Sequence, residues 1–330
     1  MSPAPRRILL LGATGTVGRA TAHALVDCGH EVVCFVRPRH AGGRSPDAAT
    51  GMPDAVVVRY GDVTDPDSLA SDGFCGERFD VIVSCIASRT GAPGDAWAID
   101  HDANLNALQL AERAGVAHFV LLSAICVQKP KLAFQHAKLA FENALIASGL
   151  TWSIVRPTAF FKSLSGQVER LRQGKPFLVF GDGRLTACKP ISDGDLARYI
   201  AGCIDDPERH NRILPIGGPG DAITPRQQGD YLFALLDRPP KFRHVPVALL
   251  DAIIWTTSIL GRLSSKLAAK AELARIGRYY ATESMLVLDP VTGRYDAEAT
   301  PSFGTETLYG FYDRLVRGEV TADRGDHAVF

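Results

Sequence analysis

Residues 7–18, RILLLGATGTVG, constrain the fold of this chain more than any other stretch. Ile8, Leu9, Leu10 and Leu11 form an uninterrupted aliphatic run closed by glycine, the pattern of a strand buried on both faces. TVGRATAHALVDCG then reads as a helix stopped by Gly29. Between them Gly12, Gly15 and Gly18 repeat every third position. At such a junction one glycine permits the sharp turn. Another lets backbone approach a pyrophosphate, and a third lets helix and strand pack closely. The helix start presents unpaired N–H groups and a partial positive charge to the phosphates. The spacing, set between strand and helix, predicts a dinucleotide site lined by Gly12, Thr14, Gly15, Thr16, Val17 and Gly18.

The pattern continues through the first half. HEVVCFVR, AVVVRYGDV, FDVIVSCIAS, HFVLLSA and TWSIVRP read as further strands. Helical spacing fills Ile99 to Ala114 and the segment FQHAKLAFENALIASG. Strands alternating with helices imply an α/β fold, a doubly wound parallel Rossmann sheet. After Pro157 the pattern loosens. LVFGDGRLTACKPIS has the glycine punctuation of a hairpin. DGDLARYIAGCID reads as a helix capped by Asp193 or Asp195, and RILPIGGPG as one more strand. The expected organisation is an NADP-binding core over 1–160 and a smaller, mostly C-terminal substrate-binding region over 161–330. Residues 191–216 are expected to return to the core.

Acidic and basic residues balance at 36 each, which argues against a nucleic-acid partner. Seven cysteines without paired spacing suggest a reducing compartment, and no metal-ligand constellation stands out. No stretch reaches the roughly 18 apolar residues of a spanning helix. The expected location is therefore cytoplasmic. Peripheral membrane contact is left open for the apolar segment that begins at Val245, which also suits a packed helix or a lid.

The second predicted strand ends in FVRPRH, and Arg37 lies 19 residues after Gly18. An NAD site usually carries an acidic residue about 20 residues past the loop. An arginine there pairs instead with a 2′-phosphate, which predicts NADPH, with Arg39 and less surely Arg44 adding to the site. Asp62 and Val63, after the third strand, fall where a carboxylate accepts the adenine amino group. An Asx-turn or a helix N-cap is the alternative for Asp62.

The glycine spacing, Asp62 and Lys138 resemble the short-chain dehydrogenase/reductase superfamily in its extended or atypical branch. Longer blocks carry a closer resemblance. LLSAICVQKP, IVRPTAFFKSLSGQVE, GKPFLVFGDGRLTACKPIS and IGRYYATESMLVLDPVTG are similar to the 8-vinyl reductases of chlorophyll biosynthesis. That resemblance implies NADPH-dependent reduction of 3,8-divinyl (proto)chlorophyllide, a tetrapyrrole that brings its own magnesium. Plant members carry a transit extension, so a chain starting at its first strand looks bacterial.

Within the resemblance, Lys138 holds the nicotinamide ribose and Ser123 orients nicotinamide or substrate. Ser84 and Cys85 pass close to the cofactor mainly through backbone, and Pro157 borders the nicotinamide. The superfamily's tyrosine, four residues before the lysine, is Phe134 here. A ketone reductase needs that phenol to protonate an alkoxide. A vinyl group takes its proton at carbon, so Phe134 is compatible with alkene reduction and suits a flat aromatic substrate, as do Phe160 and Phe161, for which packing between the two regions is an equal alternative. Spacing selects no proton donor among Cys126, Lys162, Cys188, Lys189, Tyr279, Tyr280 and Glu283. Two other readings stay open: a non-catalytic dinucleotide-binding regulator or structural subunit, and a reductase of another conjugated alkene.

Overall fold

In the computed structural model, which describes residues 4–38, 51–261 and 265–321, the first aliphatic run is β1 (Arg7–Leu11) and leads into α1 (Thr16–Asp27). β2 (Glu31–Val36), β3 (Val57–Tyr60), β4 (Val81–Ser84), β5 (His118–Leu122) and β6 (Thr151–Pro157) follow. They form one parallel sheet in the order β3-β2-β1-β4-β5-β6, with a seventh strand beyond β6. The connections run outward in one direction from β1 and in the other from β4. The crevice at the carboxyl ends of this adjacent pair is the switch point at which such sheets bind ligands.

Alternate residues of β1 serve opposite layers. Ile8 and Leu10 pack towards α1, while Leu9 and Leu11 join the far face with Phe119, Phe141 and Leu145. That far face is covered by α2 (Asn104–Ala114), entered through a π-helical turn at Trp97–Ala103, and by α3 (Ala133–Ala147). A strand buried on both faces has no polar side to alternate with, which is why the run is continuous.

After β6 the chain leaves the sheet and forms β7 (Phe177–Phe180). It returns through α4 (Asp193–Gly202), whose Leu196 and Ile200 are buried in the same layer as α1, and through β8 (Arg212–Ile216), which pairs with β6. The N-cap of α4 is neither predicted aspartate. Ser192 caps it, its hydroxyl accepting from the Asp195 N–H at 3.0 Å. The predicted hairpin is also absent. Gly181 and Gly183 do turn the chain at positive φ (58° and 82°). The partner of β7, however, is the distant β9 (Phe242–Val245), in parallel, and the Arg226 N–H closes the turn onto the Gly183 carbonyl.

The C-terminal part has its own core. α5 (Pro225–Leu235) begins with a Thr224–Gln227 capping box and buries Leu232 and Phe233 against Phe177 and Val179. α6 (Val247–Gly261) and α7 (Ser265–Thr282) pack against each other, tied by Asp251–Arg278 and by an Arg275–Ser258 bond of 2.8 Å. α6 leaves Leu249 and Trp255 exposed. Among the described residues no helix is long and apolar enough to cross a membrane. α8 (Leu308–Arg317) closes the core with Leu308, Tyr312 and Leu315.

Candidate functional site

The loop between β1 and α1 uses its glycines unequally. Gly12 has φ +82°, and a Cβ there would stand 2.7 Å from the Cys85 carbonyl group. A Cβ on Gly18 would fall on the Gly12 carbonyl oxygen. These two glycines therefore weld loop, strand and helix together. Gly15 is different: a Cβ would meet nothing nearer than the Gly12 oxygen at 3.5 Å, and Thr14, Gly15 and Thr16 are all exposed. No side chain caps α1, so its first N–H groups face outward. This open cradle fits a pyrophosphate, whereas Val17 is buried and offers only its backbone. Lys162, on the short helix Phe161–Leu164 after β6, reaches into the cradle and donates to the Thr16 hydroxyl. That position suits phosphate binding.

At the other end of the crevice Arg37 is exposed just past β2. Asp62 accepts from the Thr64 N–H at 2.9 Å and the Thr64 hydroxyl at 2.7 Å, an Asx-turn. Those bonds, with a smaller contribution from Arg37, hold its carboxyl below the usual range. Val63 is buried, and Asp65 caps the following turn. Arg39 and Arg44 lie outside the described residues.

Near the carboxyl ends of β4 and β5 stands a buried ion pair. Lys138 Nζ lies 2.9 Å from Asp100 Oδ1, with side-chain exposures of 11% and 0%. The Ser88 N–H also approaches Oδ1, at 3.3 Å, and Asp100 Oδ2 has no hydrogen-bond partner. Asp100 is absent from the sequence-based site. Its signal was a polar pair, Asp100 and Asn104, one turn apart among the apolar Ile99, Ala103 and Ala107.

Both serines turn out to be engaged by protein. The Ser84 hydroxyl donates to Asn104 Oδ1 at 2.6 Å. The Ser123 hydroxyl donates to the buried Glu142 carboxylate, which also pairs with Arg156. Each hydroxyl donates its proton within the protein. Burial pushes the Cys85 thiol up to about 12, so it remains uncharged beside the loop. Pro157 is buried at the end of β6, opposite Ile216.

Phe134 lies one turn before Lys138 and packs against a small cluster containing Cys126, Ile276 and Tyr279. The other two aromatics pack into the protein. Phe161 is buried in the C-terminal core, 5.5 Å from the Phe311 ring, and Phe160 packs on the sheet core beside Ile191. Each ring is taken up by a different core.

The structure also sorts the acid candidates. The Tyr279 hydroxyl donates to the Cys126 and Lys129 carbonyls at 2.9 and 3.1 Å. Glu283 receives Lys129, Lys131 and the Tyr295 hydroxyl; burial pushes its carboxyl up, but these bonds outweigh burial and hold it below the usual range. Lys189 donates to the Thr300 carbonyl at 3.0 Å, and Cys188 is buried with its thiol raised to about 12. Lys162 is engaged at the phosphate cradle, and Cys126 and Tyr280 remain. The Cys126 thiol is flanked by the Tyr280 hydroxyl and the Gln135 amide and feels the Lys138 charge. Burial raises this thiol above its ordinary range. Among the described residues no cluster of potential metal ligands occurs.

Residues 12–207 match the NAD(P)H-binding family. A protein of Oryza sativa subsp. indica named divinyl chlorophyllide a 8-vinyl-reductase, chloroplastic, is 48% identical over 100% of this chain and 84% of its own length. A Zea mays protein of the same name is 49% identical over 98% of this chain and 82% of its own. The NADPH-dependent quinone oxidoreductase QOR2 of Escherichia coli, solved with NADPH, superposes with a TM-score of 0.67 at 17% identity, covering 94% of this chain and 99% of that one. It shares the fold. The cytoplasmic location expected from the sequence is overturned: the plant relatives that match the chain throughout are chloroplastic.

Proposed function

The chain belongs to the divinyl chlorophyllide a 8-vinyl-reductase family, and on that premise we propose how its residues serve reduction of the 8-vinyl group of 3,8-divinyl (proto)chlorophyllide to ethyl. The observation that carries the reading is the buried Lys138–Asp100 pair with Phe134 one turn away. Bound NADPH supplies the hydride. The backbone from Thr14 to Thr16, with Lys162, holds the pyrophosphate, and Arg37 pairs with the 2′-phosphate. Asp62 and Val63 border the adenine. Lys138, steadied by Asp100, holds the nicotinamide ribose and so orients the face from which hydride leaves.

Hydride addition to a conjugated vinyl group leaves an electron pair that spreads over the macrocycle. No alkoxide forms, so the site needs no acidified phenol at position 134. The Phe134 ring instead offers an apolar wall to a flat aromatic substrate. With alkene chemistry, Phe134 ceases to be an argument for a non-catalytic dinucleotide-binding protein.

The test is incubation of the purified chain with NADPH and 3,8-divinyl chlorophyllide. The expected result is one NADPH oxidised per ethyl product, separated by chromatography. Tight NADPH binding without product would contradict the reading.

A further inference from the structure

We propose that Lys129 and Lys131 bind the free propionate of the chlorophyllide and so fix the macrocycle with its 8-vinyl group towards the nicotinamide. The proposal rests on the vinyl-reductase reading and names a substrate-recognition site for it. Both lysines leave the loop between β5 and α3, at the carboxyl edge where such sheets take their ligands. They converge on one carboxylate just past α7. Lys129 Nζ lies 2.7 Å from Glu283 Oε2, and Lys131 Nζ donates to Oε1. The Tyr295 hydroxyl also donates to Oε2, at 2.7 Å. The Glu283 side chain is 7% exposed, those of Lys129 and Lys131 38% and 47%. Two accessible positive charges thus share one buried negative charge, where a single ammonium would neutralise it. Each ammonium has three N–H donors and gives one to Glu283, so both keep donors for a second anion. Like charges held on one carboxylate also repel, and an anion bound between them relieves that repulsion.

The backbone beneath the two lysines is held in place. The Tyr279 hydroxyl donates to the Lys129 carbonyl at 3.1 Å, and the Gln135 side-chain oxygen accepts the Lys131 N–H at 2.7 Å. Leu132, the next residue, packs in the cluster that Phe134 joins with Ile276 and Tyr279. The charges therefore border the apolar wall assigned to the macrocycle. Leu132 is also the N-cap of α3 and has no side-chain oxygen, so the positive end of the helix dipole adds to the two lysines. The spacing suits the substrate. Lys131 stands just before α3, and Lys138, assigned to the nicotinamide ribose, lies two turns further on, about 10 Å along the axis. In chlorophyllide the propionate and the 8-vinyl group sit on opposite pyrroles, a macrocycle's width apart. A carboxylate at Lys131, with the ring laid along Phe134, directs the vinyl group towards the nicotinamide end. An esterified propionate offers the lysines no charge, so the site selects the free acid.

The experiment titrates 3,8-divinyl chlorophyllide and its propionate methyl ester by absorbance, measures NADPH affinity by fluorescence, and follows turnover of both pigments. It compares wild type, Lys129→Gln, Lys131→Gln and Lys131→Arg. Each glutamine variant leaves one lysine on Glu283, so no buried carboxylate is left unpaired. Wild type and Lys131→Arg are expected to bind the free acid about 10-fold more tightly than the ester. In either glutamine variant that preference is expected to fall to about 2-fold or less, with NADPH affinity unchanged. A purely structural role would weaken acid and ester alike and leave their ratio intact. Equal binding of acid and ester by wild type, or glutamine variants that keep the full preference, would overturn the proposal. A wild type that prefers the acid but reduces neither pigment would uphold the lysine site and count against the vinyl-reductase reading.

Discussion

The two ends of the crevice are built on opposite plans. The phosphate end is one contiguous loop, Gly12 to Gly18, whose shape follows from two positions, Gly12 and Gly18, that leave no room for a Cβ. The proposed nicotinamide and substrate end draws Asp100, Phe134 and Lys138 from separated segments. The first plan depends on local sterics, so its parts stand or fall singly. The second depends on long-range packing and buried charge, so its parts are coupled.

The contrast is broken most severely at Gly18. Gly18→Ala sets a methyl group on the Gly12 carbonyl and is expected to abolish NADPH binding or folding. Gly15→Ala, with open space around it, should fold and lose only about 10-fold in affinity, measured by titration. At the other end, Asp100→Ala leaves the Lys138 ammonium buried without its partner. The expected cost is roughly 3–5 kcal/mol by denaturant unfolding. Lys138→Met combined with Asp100→Leu should cost much less, because no lone charge remains.

A control lies at the amino edge of the sheet. His118 bonds Ser153 at 3.0 Å, and burial, with a smaller effect of His210, lowers its pKa to about 4. Between pH 4 and the unfolded value near 6.5 the unfolded chain binds the extra proton. Stability from this group is therefore fully present above that window and declines as pH falls through it, by roughly 3 kcal/mol. His118→Phe should flatten that part of the pH profile, seen in urea midpoints, without changing NADPH affinity. The smallest expected effect is Lys162→Met: about a 10-fold weaker NADPH complex at unchanged saturating kcat, which separates phosphate binding from proton donation. A loss confined to kcat would return Lys162 to the acid candidates.

The same contrast explains what the sequence disclosed. Strand periodicity and the glycine loop are local properties, and β1 through β6 and α1 follow them. The pairing of β7 with β9 does not, because a parallel partner more than 60 residues away leaves no turn signal. The cap of α4 shifted to Ser192, one residue before the predicted range, within the ordinary uncertainty of helix ends. The partners of the Ser84 and Ser123 hydroxyls, Asn104 and Glu142, could not be read from the sequence, because they sit on helices whose register with the sheet no motif records. Asp100 was hidden similarly: a lone acid in a helical segment resembles a solvated charge until its lysine is found beside it. Phe134 was legible as a departure from the family pattern, yet its meaning depended on the chemistry of the substrate.

The most direct measurement uses NADPH deuterated at the transferred position of C4, with 3,8-divinyl chlorophyllide in ordinary water, and follows the Soret band and the product mass. A vinyl reductase built as described gives a blue-shifted monovinyl product carrying one deuterium in its new ethyl group. A monovinyl product without deuterium would show that the hydride does not come from the nicotinamide, and would contradict the account of this crevice.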